Sequence, residues 1–236
     1  MRDNLINILT YTAPHRKTYD TLCRLKACGY NNVNVFAHDF TYQKKFSPIY
    51  EHRPSSDNVV STQIICENFG YNYNKINNYD EISFCKEGIF LICGAGLLPE
   101  KFINSCIVIN AHPGYIPQVR GLDSLKWAII EKKLIGVTTH LIDAQEIDYG
   151  KIIERKIIPV YDNDSFHSLA QRQYETEIKM LVDAIEKINE AKFYSEESLG
   201  EAHRRMNMEI ELNLMKEFEE YKKLYFKTQN TLEEIK

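Results

Sequence analysis

The sequence predicts an α/β fold, a mostly parallel sheet with helices on both faces, followed by a helical C-terminal segment. Two patterns carry that expectation. Through the first half, short apolar runs alternate with stretches of helical periodicity, and strands alternating with helices build parallel sheets covered on both sides. From Asp164 onward the runs give way to long stretches with apolar residues every three or four positions, the period of an amphipathic helix. A length of 236 residues, with 44% hydrophobic and 26% charged residues, suits one to two globular domains.

LINILTY (5–11) reads as a buried strand, and a helix is expected over 17–28 with Gly29 as its stop. NVNVFAH (32–38) reads as the second strand, and IFLICGAG (89–96) and CIVINAH (106–112) as the next two. DSFHSLAQRQYETEIKMLVDAIEKI begins a helix with Asp164 or Ser165 as N-cap and a stripe through Leu169, Ile178, Leu181, Ile185 and Ile188. A second helix is expected from about Leu199 to Tyr225, its stripe running through Ala202, Met206, Ile210, Leu214, Phe218 and Tyr221. The chain thereby divides into a Rossmann-like body, 1–160, and a helical extension, 161–236, packing on the body or on a partner subunit.

Composition narrows the partners. A net charge of −4 gives no general electrostatic reason to expect nucleic acid or an anionic membrane. The six cysteines form no CxxC pair and no zinc-type spacing. With no signal peptide in MRDNLINILTYTAP and no apolar stretch near the ~20 residues of a membrane span, the expectation is a reduced, cytoplasmic protein without a metal.

Open parallel sheets bind ligands outside the carboxyl ends of their strands. Four polar stretches fall at such ends: TAPHRK, GAGLLPE, NAHPG and the loop holding Asp148. Asn110 and His112, two positions apart on one strand, point to the same side. Pro113 keeps the chain from turning helical at His112, and Gly114, Pro117 and Gly121 shape a stiff loop beyond it. An imidazole beside a carboxamide suits acyl transfer to an amine. The histidine takes a proton near neutral pH, and the amide N–H stabilises a developing oxyanion. A carboxylate that orients the imidazole completes the set, and Asp143 and Asp148 are both candidates.

INAHPGYIPQVRG followed by WAIIEKKLIGVTTHLIDAQEIDYGKII resembles the formyltransferases that use 10-formyltetrahydrofolate, strongly over about residues 88–160. The resemblance implies catalytic roles for Asn110, His112 and Asp148. It implies a folate site made by Gly94, Ala95, Gly96, Leu97 and Leu98 with Asp143, Ala144, Gln145, Glu146 and Ile147. Relatives that formylate methionyl-tRNA carry a further β-domain and tend to be basic. Those acting on glycinamide ribonucleotide have a Gly/Ser-rich phosphate loop where this chain has TYTAPHRK. HPGYIPQVRGLDSLKWAI looks most like the enzymes that formylate dTDP-linked amino-dideoxyhexoses for surface polysaccharide such as O-antigen. That likeness implies a homodimer and a best-guess acceptor of dTDP-4-amino-4,6-dideoxyglucose. The alternatives are another acceptor (glycinamide ribonucleotide or methionyl-tRNA) or a folate- or nucleotide-binding regulator without catalysis.

One physical feature points to an anionic acceptor. His15, Arg16 and Lys17 stand at the expected N-terminus of the first helix, where the dipole disfavours cations unless an anion completes the site. Arg53, in a loop expected at the surface, is a further candidate to reach the nucleotide. Arg120 either braces its own loop or touches substrate. His140 is expected as a satisfied structural histidine near the site, and Trp127 as core.

Overall fold

The computed structural model describes residues 4–39, 47–82, 88–142, 148, 150–193 and 201–233, with side chains described as far as residue 226. A seven-stranded sheet runs in the order β3-β2-β1-β4-β5-β7-β8. Its members are β1 (Ile6–Tyr11), β2 (Val33–His38), β3 (Asn72–Ile76), β4 (Ile89–Ile92), β5 (Ile107–His112), β7 (Gly136–Leu141) and β8 (Ile152–Ile157). The first five pair in parallel, whereas β7 and β8 are antiparallel additions at one edge. The mostly parallel α/β architecture expected from the sequence is the one the chain adopts.

Period-two alternation sorts the core. Ile6, Ile8, Leu91, Ile109 and Ala111 face one side, where they meet Leu22 and Leu25 of α1 (Arg16–Ala27), Ile65 of α2 (Thr62–Phe69) and Leu181 and Ile185 of α5 (Phe166–Lys187). Leu9, Phe90 and Val108 face the other, against Phe102 and Ile103 of α3 (Glu100–Ile103). Along β5, Asn110 and His112 therefore share the face of Val108. Burial on both faces explains why the inner strands read as continuous apolar runs. The edge strand β3 (NYNKI) lacks that signature because its side chains are mostly exposed or half-buried.

Ser165, not Asp164, caps α5, accepting from Ser168 N while Ser168 Oγ accepts from Ser165 N. Asp164 instead ion-pairs with Arg172 (2.6 Å).

The single helix expected over Leu199–Tyr225 does not form. Ala202–His203 is a short strand, β9, paired in parallel with β6 (Arg120–Gly121). Asn207 caps a one-turn helix α6 (Met208–Glu211), and only from Leu214 does a long helix, α7 (Leu214–Glu233), begin. Leu214, Phe218 and Tyr221 keep the helical spacing and pack against Leu125 and Ile129 of α4 (Ser124–Ile130). Met206 is buried as well, but from an irregular segment whose backbone bonds to the β6 loop. The apolar period ran on across a stretch whose conformation is set by tertiary pairing. Leu199 lies outside the described residues.

Candidate active site

A cleft of about 790 Å³ opens at the carboxyl ends of β4 and β5, and Asn110, His112 and Asp148 all line it. The pairing of β5 with β7 sets Asn110 opposite His140 and His112 opposite Thr138. Asn110 Nδ2 donates to His140 Nε2 (3.2 Å). That bond fixes the plane of the carboxamide and leaves its second N–H to point elsewhere. Thr138 Oγ1 donates to Gly114 O (2.8 Å) and accepts from Ile116 N (3.1 Å), so β7 also pins the loop after His112.

His112 is 4% exposed, and each of its ring nitrogens faces an acceptor. Nδ1 lies 3.2 Å from Asp148 Oδ2, and Nε2 lies 3.1 Å from Val119 O, with Ser124 Oγ at 3.3 Å. The loop folds this closely over the ring because residue 114 is glycine: a Cβ there would collide with His112 Nε2 and Val119 O. Asp148 Oδ2 also accepts from Gly121 N (2.7 Å), and Asp148 itself adopts a left-handed conformation (φ 49°). The carboxylate thus ties His112 to the β6 loop.

Of the GAGLL stretch, Ala95, Gly96, Leu97 and Leu98 line the cleft. Gly94 instead sits against the ring of Tyr11, which leaves no room for a Cβ. Leu97, 78% exposed, stands at the mouth. Asp143, Ala144, Gln145, Glu146 and Ile147 lie outside the described residues.

The basic candidates scatter. Arg53 lines the cleft but binds Glu177 through both guanidinium nitrogens (2.5 and 3.0 Å) and packs over Tyr174. Lys17 is buried, pairing with Glu177 (2.8 Å) and donating to Ala111 O (3.3 Å). Arg16 pairs with Asp20 on its own helix (2.8 Å), and His15, at the N-cap, meets Thr18 Oγ1 (3.0 Å). Arg120 is 3% exposed and belongs to β6 itself, paired with Ala202. The cation cost at the start of α1 is thus met in part by carboxylates of the chain itself.

Sequence reading missed a whole wall of the cleft, formed by His52, Leu122, Asp123 and residues 202–205. No local motif marks these positions, because they meet through pairing between Gly121 and His203. Trp127, rather than being buried core alone, stacks on His203 at 4.5 Å and donates from Nε1 to Arg204 O (2.9 Å).

Three buried groups near the site titrate far from their ordinary values. Burial, with Lys17 and Arg53, pushes His15 down to about 4. Burial, with Lys126, Arg53 and Arg205, pushes His52 down to about 3, so its 3.9 Å approach to Asp123 is between a neutral ring and a carboxylate. Burial alone would raise Glu177, but Arg53 and Lys17 outweigh it and hold the carboxyl at about 2. In the unfolded chain both histidines take up protons near ~6.5 and Glu177 near ~4.3. Depressed folded values mean that the unfolded state binds protons first as pH falls. Stability is then full above pH ~6.5 and declines on acidification in two stages, histidine first and Glu177 below pH ~4.5. Calorimetry should show Tm level from pH ~7.5 to ~6.5 and falling from there to pH ~3. The His15→Gln/His52→Gln variant should flatten the upper stage; an unchanged slope there would remove the histidines as its source.

Residues 87–185 match the formyl transferase family. A dTDP-4-amino-4,6-dideoxyglucose formyltransferase of Mycobacterium tuberculosis is 29% identical over 126 residues, covering 53% of this chain and 50% of the relative. The chain thus spans about half the length of that curated relative. A sugar N-formyltransferase from a Shewanella species superposes with a TM-score of 0.59 at 20% identity, over 89% of this chain and 87% of its own. An N-formyltransferase from Helicobacter canadensis, solved with folinic acid and dTDP-3-aminofucose, superposes with a TM-score of 0.53 at 18% identity, over 80% and 66%. At those identities the superpositions establish a common fold. The segment that matches the formyl transferase family, residues 87–185, contains Asn110, His112 and Asp148 together with the strands and loops that position them.

Proposed function

We propose that the chain moves a formyl group from 10-formyltetrahydrofolate to the amino group of a dTDP-linked amino-dideoxyhexose. The observation that carries this reading is the convergence of Asn110, His112 and Asp148 on one cleft, with His112 Nδ1 3.2 Å from Asp148. Apolar Ala95, Leu97, Leu98 and Ile103 beside them suit a flat pteridine-like ring. The M. tuberculosis relative and the H. canadensis structure support an acceptor carried on dTDP, and the folinic acid in the latter supports a folate donor.

In the reaction the acceptor amine forms a bond to the formyl carbon and the bond from that carbon to the donor nitrogen breaks. One proton passes from the amine to that nitrogen. Asn110 offers its second N–H to the oxygen that becomes negative in between. His112 handles the proton, its ring held between Asp148 Oδ2 at Nδ1 (3.2 Å) and Val119 O at Nε2 (3.1 Å). Asp148 keeps the ring oriented through that contact at Nδ1. Asn110→Ala is expected to lower kcat by roughly 10²–10³ with little change in folate affinity. A raised KM at unchanged kcat would remove the oxyanion role.

We assign the best acceptor as dTDP-4-amino-4,6-dideoxyglucose, used in surface polysaccharide such as O-antigen, with the chain acting as a cytoplasmic homodimer. Among the described residues no helix is long and apolar enough to cross a membrane. Mass spectrometry with 10-formyltetrahydrofolate and the 4-amino and 3-amino sugars in parallel tests the assignment. Gain of one formyl group on the 4-amino sugar is the expected result. Faster gain on the 3-amino isomer would reassign the regiochemistry, and silence on both with folinic acid still bound would discard the acceptor.

A further inference from the structure

The cleft has two chemically different sides. Ala95, Leu98, Ile103 and Ile142 belong to the apolar cluster on the β4 side. Elsewhere on its lining stand Arg53, Arg204 and Arg205 with two carboxylates, Asp123 and Asp148. Behind Arg53, Lys17 and Glu177 cancel one another (2.8 Å). His52 stays neutral through burial and its cationic neighbours. The chain as a whole carries −4, so a cleft lining whose arginines outnumber its carboxylates by one is a local departure from its overall sign.

The segment bearing Arg204 and Arg205 is held rigidly. Its backbone pairs with β6, and Leu122 N donates to His203 O (2.8 Å). Met206 N donates to Asp123 Oδ2 (2.9 Å). Trp127 stacks on the His203 ring and binds Arg204 O, while His203 Nε2 lies 3.2 Å from Glu131. The two guanidinium groups are left to project from this anchored backbone. Arg205 is half exposed and only 3.7 Å from Asp123 at its nearest. Arg204 is exposed and pairs with no carboxylate among the described residues. A fixed backbone carrying exposed guanidinium groups binds an anion without first having to order a loop.

We propose that residues 202–205 are the acceptor-recognition wall of the cleft and that Arg204 and Arg205 hold the phosphate or diphosphate of the acceptor. The inference rests on the formyl-transfer reading in taking the anion to be part of the acceptor. It places the choice of acceptor on a segment outside the matched family region, which ends at residue 185.

Trp127 is the only tryptophan in the chain, and its contacts with His203 and Arg204 make its emission a reporter on this wall. Titrations of the full chain with dTDP, inorganic pyrophosphate, thymidine and folinic acid test the proposal. Trp127 emission should respond to dTDP and to pyrophosphate, and thymidine should bind at least tenfold more weakly than dTDP. Arg204→Ala/Arg205→Ala should weaken dTDP at least tenfold and reduce the salt dependence of its binding, with folinic acid affinity within twofold of wild type. Arg204→Lys/Arg205→Lys, which keeps the charge, should recover most of the loss and so separate charge from packing. Binding of dTDP within twofold of wild type in the alanine variant would overturn the proposal, as would thymidine binding as tightly as dTDP. If dTDP behaves as expected while folinic acid binds neither protein, the anion wall stands and the folate donor falls. If folinic acid binds and dTDP does not, the wall falls and the donor stands.

Discussion

Replacing His112 by alanine should leave a chain that binds folinic acid near wild-type affinity yet transfers formyl groups roughly 10³-fold more slowly. The ring is buried, and its two nitrogens are bound to groups that do nothing else for a donor ring: Asp148 on one side and Val119 O on the other. On the proposed mechanism truncation removes the group that moves the proton, and it leaves the apolar side of the cleft untouched. Because Asp148 keeps its bond from Gly121 N (2.7 Å), the β6 loop retains one of its two ties, and loss of rate should exceed loss of stability. Single-turnover kinetics beside folinic acid titration would check this. A variant with more than a tenth of the wild-type rate would move the proton role to Asp148 or to solvent.

Gly121→Ala should damage the site without touching a reacting group. Gly121 sits at φ 85°, in the left-handed region, and an added Cβ would collide with His203 O and N. Only glycine meets both conditions at no cost. The methyl group would push β9 away from β6, loosen the Gly121 N–Asp148 bond and release the wall bearing Arg204 and Arg205. Loss of stability is expected at about 2–4 kcal/mol, with kcat reduced and KM for the acceptor raised together. A red shift of Trp127 emission should accompany both as the His203 stack opens. Thermal unfolding with emission spectra is the measurement, and a variant with wild-type Tm and unshifted emission would show that the β6–β9 contact is dispensable.

The contrast between these two positions explains what the sequence made legible. Asn110 and His112 are two residues apart on an apolar strand, so their common face follows from strand geometry alone. Gly114 and Pro113 likewise act on a neighbour close in sequence. Arg53, read as a surface-loop residue that could reach the nucleotide, is bound by Glu177, 124 positions away. Lys17 shares the same carboxylate, and nothing near either residue announces it. Arg16 is the exception, since its partner Asp20 lies four positions along the same helix. The C-terminal segment was misread for the same reason: its conformation is dictated by Gly121 and Asp123, and the run of apolar residues at threes and fours persisted across a strand, a turn and two helices. Local periodicity cannot register a partner eighty residues earlier.

The same long-range contacts bear on the order in which the molecule assembles. The backbone amides of Ile49 and Tyr50 donate to Glu211, 162 and 161 positions on, and Glu211 in turn forms a buried pair with Lys126. Contacts that close such large loops yield their stabilisation only after the chain entropy of closure has been met, which makes them slow to form. Asn110 and His112 can take their places once β4, β5 and β7 have paired, within some fifty residues of chain. The wall of Arg204 and Arg205 must wait for its segment to reach Gly121 and Asp123, some eighty residues earlier in the chain. During synthesis on the ribosome, a folding intermediate would therefore hold the transfer residues in register before it could discriminate among acceptors.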